Sequence, residues 1–175
     1  MILNNPNNPS GKLYSFEEMS FLLKLAREKG FFILADEAYS DFLMEKDSFL
    51  SFAKLDRNRE NVIVVNSLSK NMGMSGWRVG YVIGHKTIIK QMLKLNQHMI
   101  TCAASILQEY MSEHFFEILE NTIPQAIETA NKREAVRKMM DNLGIRALQG
   151  AGTFYFLIDV SDFPGETEEL AYDLL

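Results

Sequence analysis

Cysteine is nearly absent. Cys102 stands alone in 175 residues, so neither a disulfide framework nor a cysteine-based zinc site is available. Histidine is scarce as well: His85, His98 and His114 show no i,i+3 or i,i+4 spacing, and no metal site is expected. No apolar run approaches membrane-spanning length. The start, Met1-Ile2-Leu3-Asn4, lacks the basic residues and apolar stretch of a signal peptide. Positive charge is in deficit, with 18 Lys and Arg against 23 Asp and Glu, and no basic cluster offsets the formal charge of −5. That balance argues against a nucleic-acid surface. The expectation is a soluble cytoplasmic protein that binds neither nucleic acid nor membrane. Internal repeats and low-complexity tracts are also lacking.

What is present is a large apolar fraction, 47 %, enough for one core and part of a second domain. The most informative stretch runs from Ser67 to Tyr81, directly after Val62-Ile63-Val64-Val65, a β-branched run that reads as a buried strand. Ser67, Ser69 and Lys70 therefore sit just past a strand end, and Arg78 follows eight residues after the lysine. Gly73, Gly76 and Gly80 punctuate the segment before a second apolar run, Val79 to Ile83. The connection is too short for a crossover helix, so the two strands are expected side by side and antiparallel. A desolvated lysine is an amine nucleophile toward a carbonyl. An arginine offers a fixed fork for phosphate or carboxylate, and hydroxyls and loop N–H groups add donors for an anion. That hardware suits a phosphorylated aldehyde held through an imine. The alternative is a surface lysine and arginine in an ordinary loop, and this segment alone does not choose.

Along the chain, the first apolar residues suggest the end of a strand. They lead into Asn4-Asn5-Pro6-Asn7-Asn8-Pro9-Ser10-Gly11, whose composition is that of a turn. Asn8 is either a ligand-facing amide or simply a turn former. Residues 15–30 read as a helix: Ser15 and Glu18 form a capping box, Phe21, Leu22, Leu25 and Ala26 share a face, and Gly30 ends it. Phe31 to Ala35 reads as a buried strand ended by Asp36-Glu37, completing a strand–helix–strand unit. Ligands of such sheets collect beyond the carboxyl ends of the strands. Asn8, Asp36 and Lys70 each follow an apolar run, which would bring all three to one edge. Asp36 and Tyr39 pair a carboxylate with a phenol. They either meet a cationic ring nitrogen and a ring oxygen, or they cap a segment and fill the core. Residues 40–61 are a mixed excursion, with loops at Asp47-Ser48 and Asp56 to Arg59.

Helices are expected over 86–99, over 103–121, and over roughly 124–142, the last opening at Pro124 and ending near Gly144. The many charges of the last suggest a solvated face on a helix bridging two domains. Ile145 to Leu148 and Thr153 to Val160 read as strands, and Glu166 to Leu175 as the start of a helix. The ten methionines read as fillers of core gaps.

Competing motifs fail on their partners. Phe32 to Glu37 resembles a Walker B strand, but no phosphate loop accompanies it: Pro6 stands in place of the first glycine, and Leu13 follows Gly11-Lys12 where Ser or Thr is required. Ser67-x-x-Lys70 opens a serine acyl-enzyme signature, but Ser161-Asp162-Phe163 and Lys86-Thr87-Ile88 do not supply the companion motifs. Gly150-Ala151-Gly152 is only half of a dinucleotide fingerprint.

Taken in order, Asn8-Pro9-Ser10-Gly11, Asp36-x-x-Tyr39, Ser67-x-Ser69-Lys70 and Arg78 resemble the signature of the class I/II aminotransferases, fold-type I pyridoxal 5′-phosphate enzymes. Gly152-Thr153-Phe154-Tyr155 resembles the first strand region of that family's small domain. The resemblance implies an amino-group transfer between an amino acid and a 2-oxo acid, with Lys70 as the Schiff-base lysine and general acid/base. It implies Asp36 on the pyridine nitrogen, Tyr39 and Asn8 on the ring oxygen, and Ser67, Ser69 and Arg78 on the phosphate. Ser10 stands where the family more often has threonine, which keeps the hydroxyl. The same residues would serve another reaction of the cofactor, such as β- or γ-elimination, and an inactive remnant with a binding role is a third reading.

Family members are much longer, and the chain is expected to be an internal fragment of a homodimeric enzyme. Segments with a further phosphate loop, a ring-stacking aromatic and the substrate-carboxylate arginine would lie outside it. The fragment alone is expected to be unstable or inactive and to leave apolar surface uncovered. The expected fold is α/β: a mainly parallel sheet with flanking helices forms a partial large domain over 1–125, with the Arg78–Ile83 strand antiparallel. A connecting helix and the start of a small α+β domain cover 126–175.

Overall fold

The computed structural model describes residues 1–45 and 48–175, so Asp47 of the loop expected at Asp47-Ser48 lies outside the described residues. Four strands form one sheet in sequence order: β1 (Ile2–Asn4), β2 (Ile33–Asp36), β3 (Val62–Ser67) and β4 (Gly80–Ile83). The first three run parallel and β4 is antiparallel to β3. Helix α1 (Phe16–Lys29) is the crossover from β1 to β2, and the one-turn helix α2 (Phe52–Leu55) precedes β3. The one-turn α3 (Leu68–Asn71) and a 3-10 turn at Ser75–Trp77 fill the link from β3 to β4. Three further helices follow: α4 (Lys86–Met99), α5 (Ser105–Asn142) and α6 (Thr167–Asp173). Among the described residues no helix is long and apolar enough to cross a membrane.

The strands are built by alternation. Leu3, Ile33, Ala35, Val62 and Val64 turn to one face and meet Met19, Leu23 and Ala26 of α1 and Phe52 of α2. A period of two along each strand meets i, i+4, i+7 along the helix, so both elements bury one stripe. Ile33, Met19 and Phe52 are wholly enclosed, each contributing about 1.5–3 kcal/mol of burial. The buried stripe of α1 differs from the expected one: Phe21 is exposed, and Met19 and Leu23 take its place beside Ala26. At the helix start, the Ser15 hydroxyl accepts from the Glu18 N–H at 3.2 Å and the Glu18 carboxylate accepts from the Ser15 N–H at 2.8 Å. Such a box contributes about 1 kcal/mol. Gly30 closes the helix at φ 70°, in the left-handed region that favours glycine.

Pro124 does not open a helix. It lies inside α5, which runs unbroken for 38 residues, where two helices were expected. Proline removes one intrahelical bond and crowds the preceding turn. Here packing on both sides of it outweighs that loss. Upstream, Met111 joins Leu68, Met72, Met74 and Val79. Downstream, Ala126 joins Tyr39 and Phe42. The expectation for methionine holds at Met19, Met72, Met74 and Met111 but not at Met99 and Met139, which are exposed. The two late strands are also reduced. Ala147 and Ile158 form a single antiparallel bridge, flanked by Leu148 N–H to Leu157 O and Asp159 N–H to Arg146 O. Helix α4 buries none of its side chains, and Leu93, Leu95 and Met99 lie exposed along it.

Glu37 follows Ala35 onto the apolar face and is 3 % exposed. Its Oε1 accepts the Phe52 N–H at 2.9 Å. Burial pushes its pKa from an ordinary 4.5 up to about 7, against the lowering effect of its bonds to Ser51 and Phe52. The folded state therefore favours the protonated acid. Its contribution to stability is full below about pH 4.5 and is lost as pH rises through about 7. Glu37→Gln, which mimics the neutral acid, should remove this slope. The difference in unfolding free energy between the native protein and Glu37→Gln, read by urea denaturation at each pH, should change by up to about 3 kcal/mol from acid to mildly alkaline pH.

Candidate active site

The carboxyl ends of the parallel strands lie in line. Asn4 pairs with Asp36, and Asp36 with Val65. Each strand then turns on a side chain of its own. After β1, the Asn4 Oδ1 accepts the Asn8 N–H at 2.5 Å, while Asn4 Nδ2 donates to the Asp36 carbonyl at 3.3 Å. The loop is tightened where the Ser10 hydroxyl donates to Asn7 Oδ1 at 2.6 Å. After β2, Asp36 Oδ1 accepts the Ala38 N–H at 3.1 Å, a local turn that delivers Tyr39 to the same edge. After β3, the Ser67 hydroxyl accepts the Ser69 N–H at 3.3 Å and caps α3, the turn that carries Lys70.

These three turns converge on the Tyr39 ring. Asn8 Nδ2 donates to its hydroxyl at 3.1 Å, and Lys70 Nζ lies 5.8 Å from the ring centroid. The Tyr39 hydroxyl in turn donates toward Tyr155 Oη at 3.4 Å, a long bond. Phe154 and Tyr155 meet the Tyr39 ring edge-on at 5.8 Å, and Phe42 meets Phe154 at 5.1 Å. Burial first, and the Tyr155 hydroxyl second, push the Tyr39 phenol up to about 12, while the Asn8 amide works against the shift. Tyr39 is therefore a phenol, a proton donor, at neutral pH. A cavity of about 200 Å³ adjoins Lys70 and is lined also by Asn71, Thr122 and Thr129. Asn71 Nδ2 donates to Asp41 Oδ2 at 2.5 Å, fixing the end of α3.

Asn8, Asp36, Tyr39, Ser67, Ser69 and Lys70 thus come to one sheet edge. Arg78 lies beside them in the chain path, because Leu68 N–H bonds Val79 O at 3.1 Å and Ser67 pairs with Gly80. Its guanidinium, however, donates to its own turn, at Ser75 O (2.9 Å), and not to Ser67 or Ser69. Its backbone is left-handed, at φ 55°, an uncommon conformation for a residue with a side chain. Three neighbours escaped the sequence reading: Asn4, Phe42 and Arg133. Asn4 and Phe42 carry no motif of their own. Arg133 lies in the charged stretch expected to be solvated, yet it is 4 % exposed.

The architecture is that of solved aminotransferases. A double mutant of Thermus thermophilus aspartate aminotransferase superposes with a TM-score of 0.90 at 31 % identity, over 99 % of this chain and 45 % of that one. An aromatic aminotransferase from Pyrococcus horikoshii gives 0.91 at 25 % identity, over 99 % of this chain and 47 % of that one. Residues 1–175 match the family described as aminotransferase class I and II, and the chain belongs to that family. Similar curated proteins include the aspartate aminotransferase of Thermotoga maritima, 28 % identical over 91 % of this chain and 41 % of that protein. The probable aspartate/prephenate aminotransferase of Thermus aquaticus is 32 % identical over 100 % of this chain and 46 % of its own length. The chain spans less than half the length of these relatives. The family is one of pyridoxal phosphate enzymes.

Tyr39→Phe keeps the aromatic packing and removes only the oxygen that Asn8 and Tyr155 address. It should cost about 1 kcal/mol in urea denaturation, against about 3–5 kcal/mol for Tyr39→Ala, which opens a cavity among Phe42, Phe154 and Tyr155. Equal losses would show that the hydroxyl, not the ring, is what the site holds.

Proposed function

We propose that this chain forms the pyridoxal 5′-phosphate-binding part of an aminotransferase that moves an amino group between an amino acid and a 2-oxo acid. One observation carries the reading: an amide from the loop after β1, a phenol from the turn after β2 and an amine from the turn after β3 meet at one ring. The donor set fits the cofactor. An amine matches its aldehyde, a carboxylate matches its pyridinium nitrogen, a phenol and an amide match its ring oxygen, and hydroxyls with a guanidinium match its phosphate.

In this reading Lys70 anchors the aldehyde and, as a neutral amine, takes and returns the proton at the substrate Cα. Asp36 keeps a proton on the ring nitrogen. When bound, the cofactor draws electron density from the bonds at Cα. Tyr39 Oη and Asn8 Nδ2 hold the ring oxygen, and the Tyr39 phenol keeps its proton at neutral pH because burial and Tyr155 raise its pKa. Ser67, Ser69 and Arg78 hold the phosphate, which requires the Arg78 guanidinium to leave Ser75 O or to share its donors. Residues 1–125 would then be part of the larger, cofactor-binding domain, and 126–175 the connecting helix with part of a smaller one. The intact enzyme would be a homodimer.

The test is covalent attachment. The protein mixed with pyridoxal 5′-phosphate and reduced with borohydride should carry the label on Lys70, located by peptide mapping, and Lys70→Ala should carry none. Equal labelling of the variant would defeat the assignment. Single-turnover incubation with amino acids then separates chemistries: amino-group retention on the cofactor marks transamination, and ammonia release marks elimination.

A further inference from the structure

The buried guanidinium of Arg133 has no place in the functions above, yet it sits where two site-bearing segments meet. Arg133 is on α5 and is 4 % exposed. Its Nη1 donates to the Gly152 carbonyl. Its Cζ lies 4.7 Å from the centroid of the Phe156 ring, a cation–π contact. Nη2 is buried without a protein partner among the described residues, and burial lowers the pKa of the group. A buried, unpaired charge is costly, so packing alone is a poor reason for arginine here.

The surroundings are cut to admit it. A methyl on Gly11 would fall on Nη1, and a methyl on Gly150 would lie 2.7 Å from both Nη1 and Nη2. Gly11 closes the Asn8 loop, whose backbone adopts φ 72° at that residue. Gly150 opens the strap that runs to Thr153. Strap and loop are joined directly: the Ala151 and Gly152 N–H groups both donate to the Gly11 carbonyl, at 2.8 and 3.0 Å. The strap is also tied to the segment after Tyr39, with Thr153 N–H to Phe42 O at 2.8 Å and Met44 N–H to Ala151 O at 3.1 Å. The strap leads into Phe154 and Tyr155, which pack on Tyr39, and the loop carries Asn8, which bonds Tyr39. Arg133 therefore lies where helix, loop and strap meet.

We propose that Arg133 is a positioning residue of the cofactor site: it clamps the strap at Gly150–Thr153 onto the Asn8 loop and thereby sets Asn8 and Tyr155 against the Tyr39 hydroxyl. The proposal rests on the reading of Tyr39 and Asn8 as cofactor-facing groups. Charged and titratable groups facing Tyr39 are Asp36, Tyr155 and Lys70. None of them is altered by changing Arg133, so an effect on the site must come through the clamp or through the charge of Arg133 itself. Arg133→Lys separates the two, because it keeps the charge and loses the planar fork.

The experiment compares Arg133→Met, Arg133→Lys and Gly150→Ala with the unaltered protein by amide hydrogen exchange. The pH midpoint of the absorbance band of pyridoxal 5′-phosphate attached at Lys70 is recorded on the same samples. In both Arg133 variants the Ala151 and Gly152 amides should exchange about tenfold faster or more, with Val64 and Val65 still protected, and the midpoint should move. Gly150→Ala keeps the Arg133 residue but crowds its guanidinium out of its seat, and it should reproduce both effects, which covers an Arg133 variant that fails to fold. Unchanged exchange overturns the clamp, as does faster exchange spread equally into β3. Faster local exchange with an unmoved band overturns the positioning role and leaves Arg133 a packing residue. If Arg133→Lys matches the unaltered protein, charge and not the fork is responsible, and the clamp falls. If the unaltered protein forms no attachment at Lys70, the functional reading falls and takes the positioning role with it, and exchange still decides the clamp.

Discussion

The parallel ladder that places Asn4 beside Asp36 and Asp36 beside Val65 is the constraint from which the rest of this structure follows. Three segments distant in sequence reach one edge because their strands end in register, not because their functional groups hold one another. Beyond that edge each segment has a local device that presents its side chain: an asparagine clasp for Asn8, an aspartate turn for Tyr39 and a serine cap for Lys70. Such devices are short range and are worth roughly 1 kcal/mol each. They adjust positions that the backbone hydrogen bonds have already set.

Register also decides what two adjacent carboxyl groups become. Side chains alternate along a strand, so a slip of one residue would exchange the faces of Asp36 and Glu37. As built, Glu37 turns into the apolar layer against Phe52, and burial makes it a weak acid. Asp36 is left on the opposite face, with one oxygen engaged by the Ala38 N–H. The apolar residues before them, Ile33 and Ala35, enforce the choice because both are fully buried on the Glu37 side. Core packing under the sheet is thus what keeps the Asp36 carboxylate at the edge.

The strand–helix–strand unit, the capping box and the antiparallel return at Gly80–Ile83 were legible because each has a local cause: periodicity, a pair of side chains, a connection too short to cross over. Six of the seven candidate site residues share the edge for the same reason. Arg78 follows close on α3, but where its guanidinium points depends on a left-handed backbone that no residue pattern announces. Helix continuity through Pro124 was not legible, since it depends on contacts with Leu68, Met72 and Tyr39 that lie far away in sequence. Arg133 was hidden for a similar reason. A charged residue among Lys132, Glu134 and Lys138 reads as solvated, and only the two glycines that face it, more than 15 residues away on either side, show otherwise.

The unbroken α5 gives these distant contacts a mechanical sense. Its first half packs, through Met111, on the turn that carries Lys70, and its second half holds Arg133 and packs, through Ala126, on Tyr39 and Phe42. Two separate helices would let those clusters move independently. A single rod makes them share one placement, with Pro124 the point where one backbone bond is missing. Bending there would shift the strap and the Asn8 loop relative to Lys70 while leaving the sheet ladder intact. The geometry of the Tyr39 hydroxyl is therefore set twice: by strand register from below and by the helix from the side.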